Sequence, residues 1–201
     1  MAQPLTRSDT RSEIVSSECE PLILVDSDDR ELGWMDKSAA HDGDGSLHRA
    51  FSLFIFNGAG ELLIQQRAPG KRLWPSFWSN SCCSHPRAGE ELNEAVVRRL
   101  QQELGMQAKL HFVYKFEYLA HYLDLGSEHE LCSVYIGRSD DQPVINATEI
   151  QAWRWIPAAE LTRELADHGD RFTPWLKLEW EYLRQQFGDD MAGISRIGAG
   201  E

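Results

Sequence analysis

Positive charge is scarce in this sequence. Lys and Arg number 20 against 32 Asp and Glu in 201 residues, for a formal net charge of -12 and a pI near 5.0. A surface of that sign repels phosphate backbones and anionic headgroups. Nucleic acid is therefore not an expected partner, and neither is a membrane held by simple electrostatics. An anionic substrate would need a local basic pocket or a metal ion. Cysteine is scarce as well: Cys19, Cys82, Cys83 and Cys132 are the whole set, and two are neighbours. That density excludes a disulfide-stapled secreted domain, so reduced thiols in a cytoplasmic setting are expected. Long apolar runs are missing. Phe51 to Phe56 is far too short to span a bilayer, and the polar residues 1–20 lack the apolar centre of a signal peptide. There is no internal repeat and no low-complexity block. An acidic, soluble, cytoplasmic monomer is the expectation.

What is present suffices for one well-buried core, since 42% of the residues are hydrophobic. Residues 1–20 read as a disordered extension, residues 21–187 as the folded domain, and residues 188–201 as a flexible, glycine-containing tail. Pro21 to Val25 reads as a strand, Gly33 to Lys37 as a short partner, and Ala39 to Ser46 as a loop. Leu47 to Phe56 is a strong strand, and the turn Asn57-Gly58-Ala59-Gly60 leads to a return strand over Glu61 to Arg67. Residues 68–87 lack a period and read as a long ordered loop, with Trp74, Phe77 and Trp78 to pin it. In Glu90 to Leu104 an apolar stripe of Leu92, Ala95, Val96, Leu100 and Leu104 predicts a helix capped by Gly105. Further strands are expected at Val113 to Ala120, Glu130 to Gly137 and Ala152 to Ile156, and helices at Pro157 to His168 and Trp175 to Phe187. The order predicts an α/β domain with a mixed sheet.

Several groupings could carry chemistry. Cys83 lies two residues from His85 in an aromatic-rich loop, where a neighbouring charge or metal could tune the thiol; a small buried side chain explains it equally well. Glu128 and Glu130 are two apart, so on a strand their carboxylates converge, which calls for a cation or a proton between them. An exposed acidic turn is the plainer alternative. His41, His48 and His85 with such carboxylates would suit Mn²⁺, Fe²⁺ or Zn²⁺, although their spacing matches no zinc finger. Arg99 and Glu103 share a helix face and could form a structural salt bridge. Lys37, Arg67, Lys71 and Arg87 fall near these loops and could neutralise a phosphate.

The stretch Trp74-Pro75, then Asn80-Ser-Cys-Cys-Ser-His-Pro86, resembles the type 1 isopentenyl-diphosphate isomerases. So do His41 with Leu47-His48-Arg49-Ala50-Phe51, and Glu128-His129-Glu130-Leu131-Cys132. The resemblance runs from about Pro21 to about Leu183. It implies a Nudix fold, a mixed β-sheet between α-helices. Nudix hydrolases present Arg-Glu-x-x-Glu-Glu, whose carboxylates collect Mg²⁺. Arg98, Arg99, Leu100, Gln101, Gln102 and Glu103 stand there instead, with one carboxylate left. The box also opens with Ser84 where the superfamily usually has glycine.

The resemblance further implies Cys83, Glu130 and Tyr118 as catalytic residues. It implies His41, His48, His85, Glu128 and Glu130 as ligands of one metal, Mn²⁺ or else Zn²⁺ or Fe²⁺. Glu103 matches a residue that helps hold Mg²⁺ on the diphosphate, Lys37, Arg67, Lys71 and Arg99 match diphosphate contacts, and Trp175 matches an aromatic over the hydrocarbon. The implied substrate is a small diphosphate, isopentenyl diphosphate. A Nudix-type nucleoside-diphosphate hydrolase and a catalytically inactive metal-containing binding module are the competing readings.

Overall fold

The computed structural model describes residues 11–187. The elements are β1 (Pro21–Val25), β2 (Glu31–Asp36), α1 (Lys37–Ala40), β3 (His48–Phe56), β4 (Glu61–Arg67), β5 (Trp78–Ser79) and β6 (Cys82–Ser84). Then follow α2 (Leu92–Leu104), β7 (Lys109–Tyr122), β8 (Gly126–Arg138), β9 (Ile150–Pro157), α3 (Ala158–His168) and α4 (Pro174–Phe187), with a short 3₁₀ turn at Gly169–Arg171. No helix among the described residues is long and apolar enough to cross a membrane.

The apolar run of β3 has neighbours on both sides. It pairs antiparallel with β1, β4 and β6, and parallel with β8 from His48↔Glu130 to Phe56↔Arg138. The β7–β8 hairpin extends the nine-stranded sheet beyond β8, and β9 adds to β4. The sheet is therefore mixed, as the order of elements predicts.

Side chains alternate along β3 with period two. Phe51, Leu53 and Ile55 pack with Ala95, Val96, Leu100 and Leu104 of α2. Phe54 and Phe56 pack with Leu161 of α3 and with Leu176, Trp180 and Leu183 of α4. Each such buried side chain contributes about 1.5–3 kcal/mol relative to exposure. His48, Ala50 and Ser52 share the parity of Phe54, and Ala50 packs in one cluster with Trp175 at the start of α4. The face covered by α4 thus continues past the core into the site. Gly105 ends α2 in the left-handed region (φ 64°), as expected of a cap.

Two expectations need correction. The loop over residues 68–87 contains two short strands, β5 and β6, and β6 pairs with β3 at Ser52↔Cys83. Three residues are too few to display a period, so pairing alone defines β6. The segment 11–20 was expected to be disordered. It lies along the domain, with Val15 buried, Asn146 Nδ2 donating to Glu13 O at 2.7 Å and Arg99 Nη1 donating to Val15 O at 2.6 Å. Backbone carbonyls that satisfy buried donors leave no mark in composition. Residues 1–10 and the expected tail 188–201 lie outside the described residues.

Candidate active site

Strand and loop ends bring five candidate ligands together. His41 follows α1, His48 opens β3, His85 follows β6, and Glu128 and Glu130 project from one face of β8. All five are buried, and one ligand atom from each lies within 4.8 Å of the others. The expected convergence of Glu128 and Glu130 is therefore present. Gly126 sets the entry to β8. It sits at φ 144°, and a Cβ there would stand 2.2 Å from His41 O, so only glycine lets this turn close on His41.

The cluster fits a metal ion. His41 Nδ1 is 2.7 Å from Lys37 O and His48 Nδ1 is 2.7 Å from Ser46 O. Each ring N–H donates to a carbonyl, which leaves the Nε2 lone pair pointing inward. His48 Nε2 has no hydrogen-bond partner, although the residue is fully buried. His41 Nε2 stands 2.7 Å from Glu128 Oε2, His85 Nε2 is 2.9 Å from Glu130 Oε1, and Tyr118 donates its hydroxyl to Glu130 Oε2 at 2.7 Å. Two buried carboxylates and an orphaned imidazole nitrogen call for a cation.

The charges agree with that reading. Burial pushes His48 down to about 3, helped by His41, and burial with His48 pushes His85 well below its usual value. Both present neutral, ligand-ready rings. Burial also pushes Glu130 up, and the charge of Glu128 adds to it. For Glu128, burial works upward but is outweighed by His41, which holds the carboxyl well below the usual range.

Beside this cluster lies the Cys83 thiol. It donates to Asn80 Oδ1 at 2.7 Å and receives the Trp175 indole N–H at 3.0 Å. Burial raises its pKa, and Glu179 adds to the shift. Cys83 and Glu130 stand on β6 and β8, the strands that flank β3, and both line one cavity with Tyr118 and Trp175. Trp175 is packed edge-on by Trp74 at 5.3 Å, and the Arg67 guanidinium lies 5.2 Å over its ring. Of the three aromatics expected to pin the loop, Trp74 packs on Trp175 and Tyr122. Phe77 packs with Tyr122, whereas Trp78 turns to the Phe54 core and takes Arg154 at 4.9 Å.

Lys37, Arg67, Lys71, Arg72 and Arg99 line the same cavity, with Glu18 and Glu149 among them. An acidic protein thus does contain a local basic pocket. Lys71 pairs with Glu149, and Arg99 Nη2 lies 3.4 Å from that same carboxylate. The Arg99–Glu103 pair expected from the helix spacing forms at 2.6 Å, with both residues buried, and Glu103 lies behind Arg99 rather than among the lining residues. Arg87 pairs with Glu20 and takes no part. Sequence reasoning missed Arg72 and Glu149, and it gave Asn80 no role although that residue opens the matched stretch. Arg72 adjoins Lys71 and was within reach of the same charge argument, whereas Glu149 shows no signal before folding.

A mixed sheet between helices, a buried His/Glu cluster that could hold a metal ion, and Glu103 as the one carboxylate left at the hydrolytic positions of α2 define a Nudix-domain protein without the hydrolytic carboxylate set. The NUDIX domain family model matches residues 46–176. The chain belongs to that superfamily and, within it, to the isopentenyl-diphosphate Delta-isomerase family. It is 42% identical over 174 residues to isopentenyl-diphosphate Delta-isomerase 1 of Photorhabdus laumondii, covering 86% of this chain and 99% of that one. It is 45% identical over 156 residues to the Burkholderia multivorans isopentenyl-diphosphate Delta-isomerase, covering 78% and 88%. Among solved structures, a Deinococcus radiodurans protein superposes with a TM-score of 0.61 at 24% identity, covering 74% of this chain and 90% of that one. A MutT protein from Methanosarcina mazei does so at 0.58 and 15%, covering 70% and 94%. Those two likenesses concern the fold.

Proposed function

We propose that this protein interconverts isopentenyl diphosphate and dimethylallyl diphosphate. One observation carries the reading: a thiol, Cys83, and a Tyr118-bonded carboxylate, Glu130, line one cavity together with five cations. The family supplies the substrate.

The reaction moves one proton onto the terminal alkene carbon and takes one from the carbon on the other side of the branch. One of the two groups gives a proton and the other gains one, so atoms and charge balance. In the reverse direction the two exchange roles. Geometry comes first in such catalysis and pKa second. Tyr118 holds the Glu130 carboxyl in place, and Asn80 and Trp175 hold the Cys83 sulfur. The Trp175 ring already has a guanidinium over it. A tertiary carbocation on such a face gains about 2 kcal/mol when water is excluded. Trp74, 4% exposed and packed on Trp175, serves that exclusion.

His41, His48, His85, Glu128 and Glu130 would hold one Mn²⁺, Fe²⁺ or Zn²⁺, in keeping with their mixed donors. Such an ion supplies positive charge that ties three chain segments together and favours the ionised form of Glu130. Lys37, Arg67, Lys71 and Arg99 are assigned to the diphosphate; Glu103 is assigned to the Mg²⁺ that accompanies it, a task that requires its carboxylate to leave Arg99 and turn to the cavity. We take the working unit to be a cytoplasmic monomer.

The test is proton NMR of isopentenyl diphosphate in D₂O with Mg²⁺ and Mn²⁺. Wild type should form deuterated dimethylallyl diphosphate, and Cys83→Ala should not. Untouched substrate, or released phosphate, would overturn the isomerase reading.

A further inference from the structure

Glu179 is a carboxyl to which the chemistry above gives no task. It lies on α4 one turn beyond Trp175, on the same face, and has no exposed surface. Oε1 is 3.6 Å from Cys132 Sγ, and Oε2 has no partner. The titratable groups around it are Cys132 and Glu130 of β8, Cys83 of β6 and Tyr114 of β7, all acids. No cation acts on it among the described residues. A lone ionised carboxylate is costly in such surroundings. Burial pushes Glu179 up to about 8, with hydrogen bonds from Ser52 and Cys132 pulling the other way, so it holds its proton at neutral pH.

From Glu179 a run of polar atoms leads to the thiol. Cys132 Sγ is 3.5 Å from Ser52 Oγ, and Ser52 Oγ is 3.5 Å from Cys83 Sγ. These residues stand on β8, β3 and β6, three adjacent strands beneath α4. Each thiol or hydroxyl in the run has one hydrogen to give, so the ends set its direction. With a proton on Glu179, the carboxyl donates to Cys132, Cys132 to Ser52, and Ser52 to the Cys83 sulfur. With Glu179 ionised, Cys132 and Ser52 both turn their hydrogens to the carboxylate, and Cys83 loses a donor.

We propose that protonated Glu179 is a positioning residue that acts through Cys132 and Ser52 to aim a hydrogen-bond donor at the Cys83 sulfur. This rests on the reading of Cys83 as the reacting thiol. Whenever the sulfur carries negative charge, the Ser52 hydrogen joins the Trp175 N–H in stabilising it within a water-poor site.

Steady-state kinetics and the same D₂O assay on wild type, Glu179→Gln and Glu179→Leu test the proposal. Leu removes the donor at similar volume and should lower kcat about tenfold with KM within about twofold, the scale of one weakened donor at a developing charge. Gln, whose amide N–H can still donate to Cys132, should keep kcat within about threefold. Wild-type kcat should fall as pH rises through about 8, and the Gln variant should not follow it. Thermal melting controls for folding, since an apolar isostere of a buried, unpaired acid is neutral or stabilising. A Leu variant with wild-type kcat, or a Gln variant as slow as the Leu variant, overturns the proposal. A wild type that makes no dimethylallyl diphosphate overturns the isomerase reading itself, and this proposal with it.

Discussion

His41 Nε2 and Glu128 Oε2 stand 2.7 Å apart in a buried setting, while the other ring nitrogen of His41 gives its hydrogen to the Lys37 carbonyl. Two lone pairs hold that distance only with positive charge between them, either a proton on the ring or a metal ion.

In chelator-treated protein the proton has to serve. Burial works to lower His41, but Glu128 outweighs it and raises the ring above 6.5. A raised value means the stabilisation is complete below 6.5 and fades as pH rises through the folded value. Glu128 is depressed, so its share is present above 4.5 and fades as pH falls through the folded value. Between those limits the pair is at full strength. Glu128→Gln should therefore cost more stability at about pH 5.5 than at about pH 8.5, read from urea melts of the metal-free proteins. An equal cost at both pH values would remove the proton from this contact.

Metal should stabilise the fold, because its ligands come from separate chain segments. At a free Mn²⁺ concentration of 100 Kd the gain is about 2.7 kcal/mol, visible as a higher Tm. His48→Ala should remove most of that shift, since the freed Nε2 has no other task in the structure. Differential scanning calorimetry with and without Mn²⁺ decides it.

Gly126→Ala should damage the metal centre from outside it. The left-handed backbone at φ 144° and a Cβ 2.2 Å from His41 O cannot both persist. The expected cost is about 1–3 kcal/mol, with weaker metal binding because His41 is the residue displaced. Chemical denaturation and metal titration by calorimetry measure the two parts separately.

Tyr118→Phe removes the hydroxyl that donates to Glu130 Oε2 at 2.7 Å. Hydrogen bonds to charged groups are worth about 1.5–3 kcal/mol, so kcat should fall roughly 10- to 100-fold. The KM for the diphosphate should hold, because Tyr118 is far in role from the cations. A drop in affinity without a drop in kcat would reassign the residue.

Much of this was legible before folding. Period two in β8 put Glu128 and Glu130 on one face, the helical stripe marked the buried side of α2, and the run from Leu47 to Phe56 marked the central strand. The resemblance added the ligand set, which spacing alone left open. What escaped was defined by partners rather than by pattern. Strand β6 is three residues long and exists because β3 offers it a ladder. Glu149 gains meaning only from Lys71, 78 residues away. The segment 11–20 reads as loose chain because its role is played by backbone carbonyls, which every sequence has. Glu179 reads as one more polar residue on a helix until α4 is laid over Ser52.

Strand β3 carries His48 at one end of the site, has Cys83 seated opposite Ser52, and builds the core with what remains. Its amides should therefore exchange with solvent deuterium only through global opening, as slowly as any in the molecule. By contrast, Val15 and Ser16 meet Arg99 and Lys37, two cations that line the cavity, through one hydrogen bond each, contacts far cheaper to open than the ladders of β3.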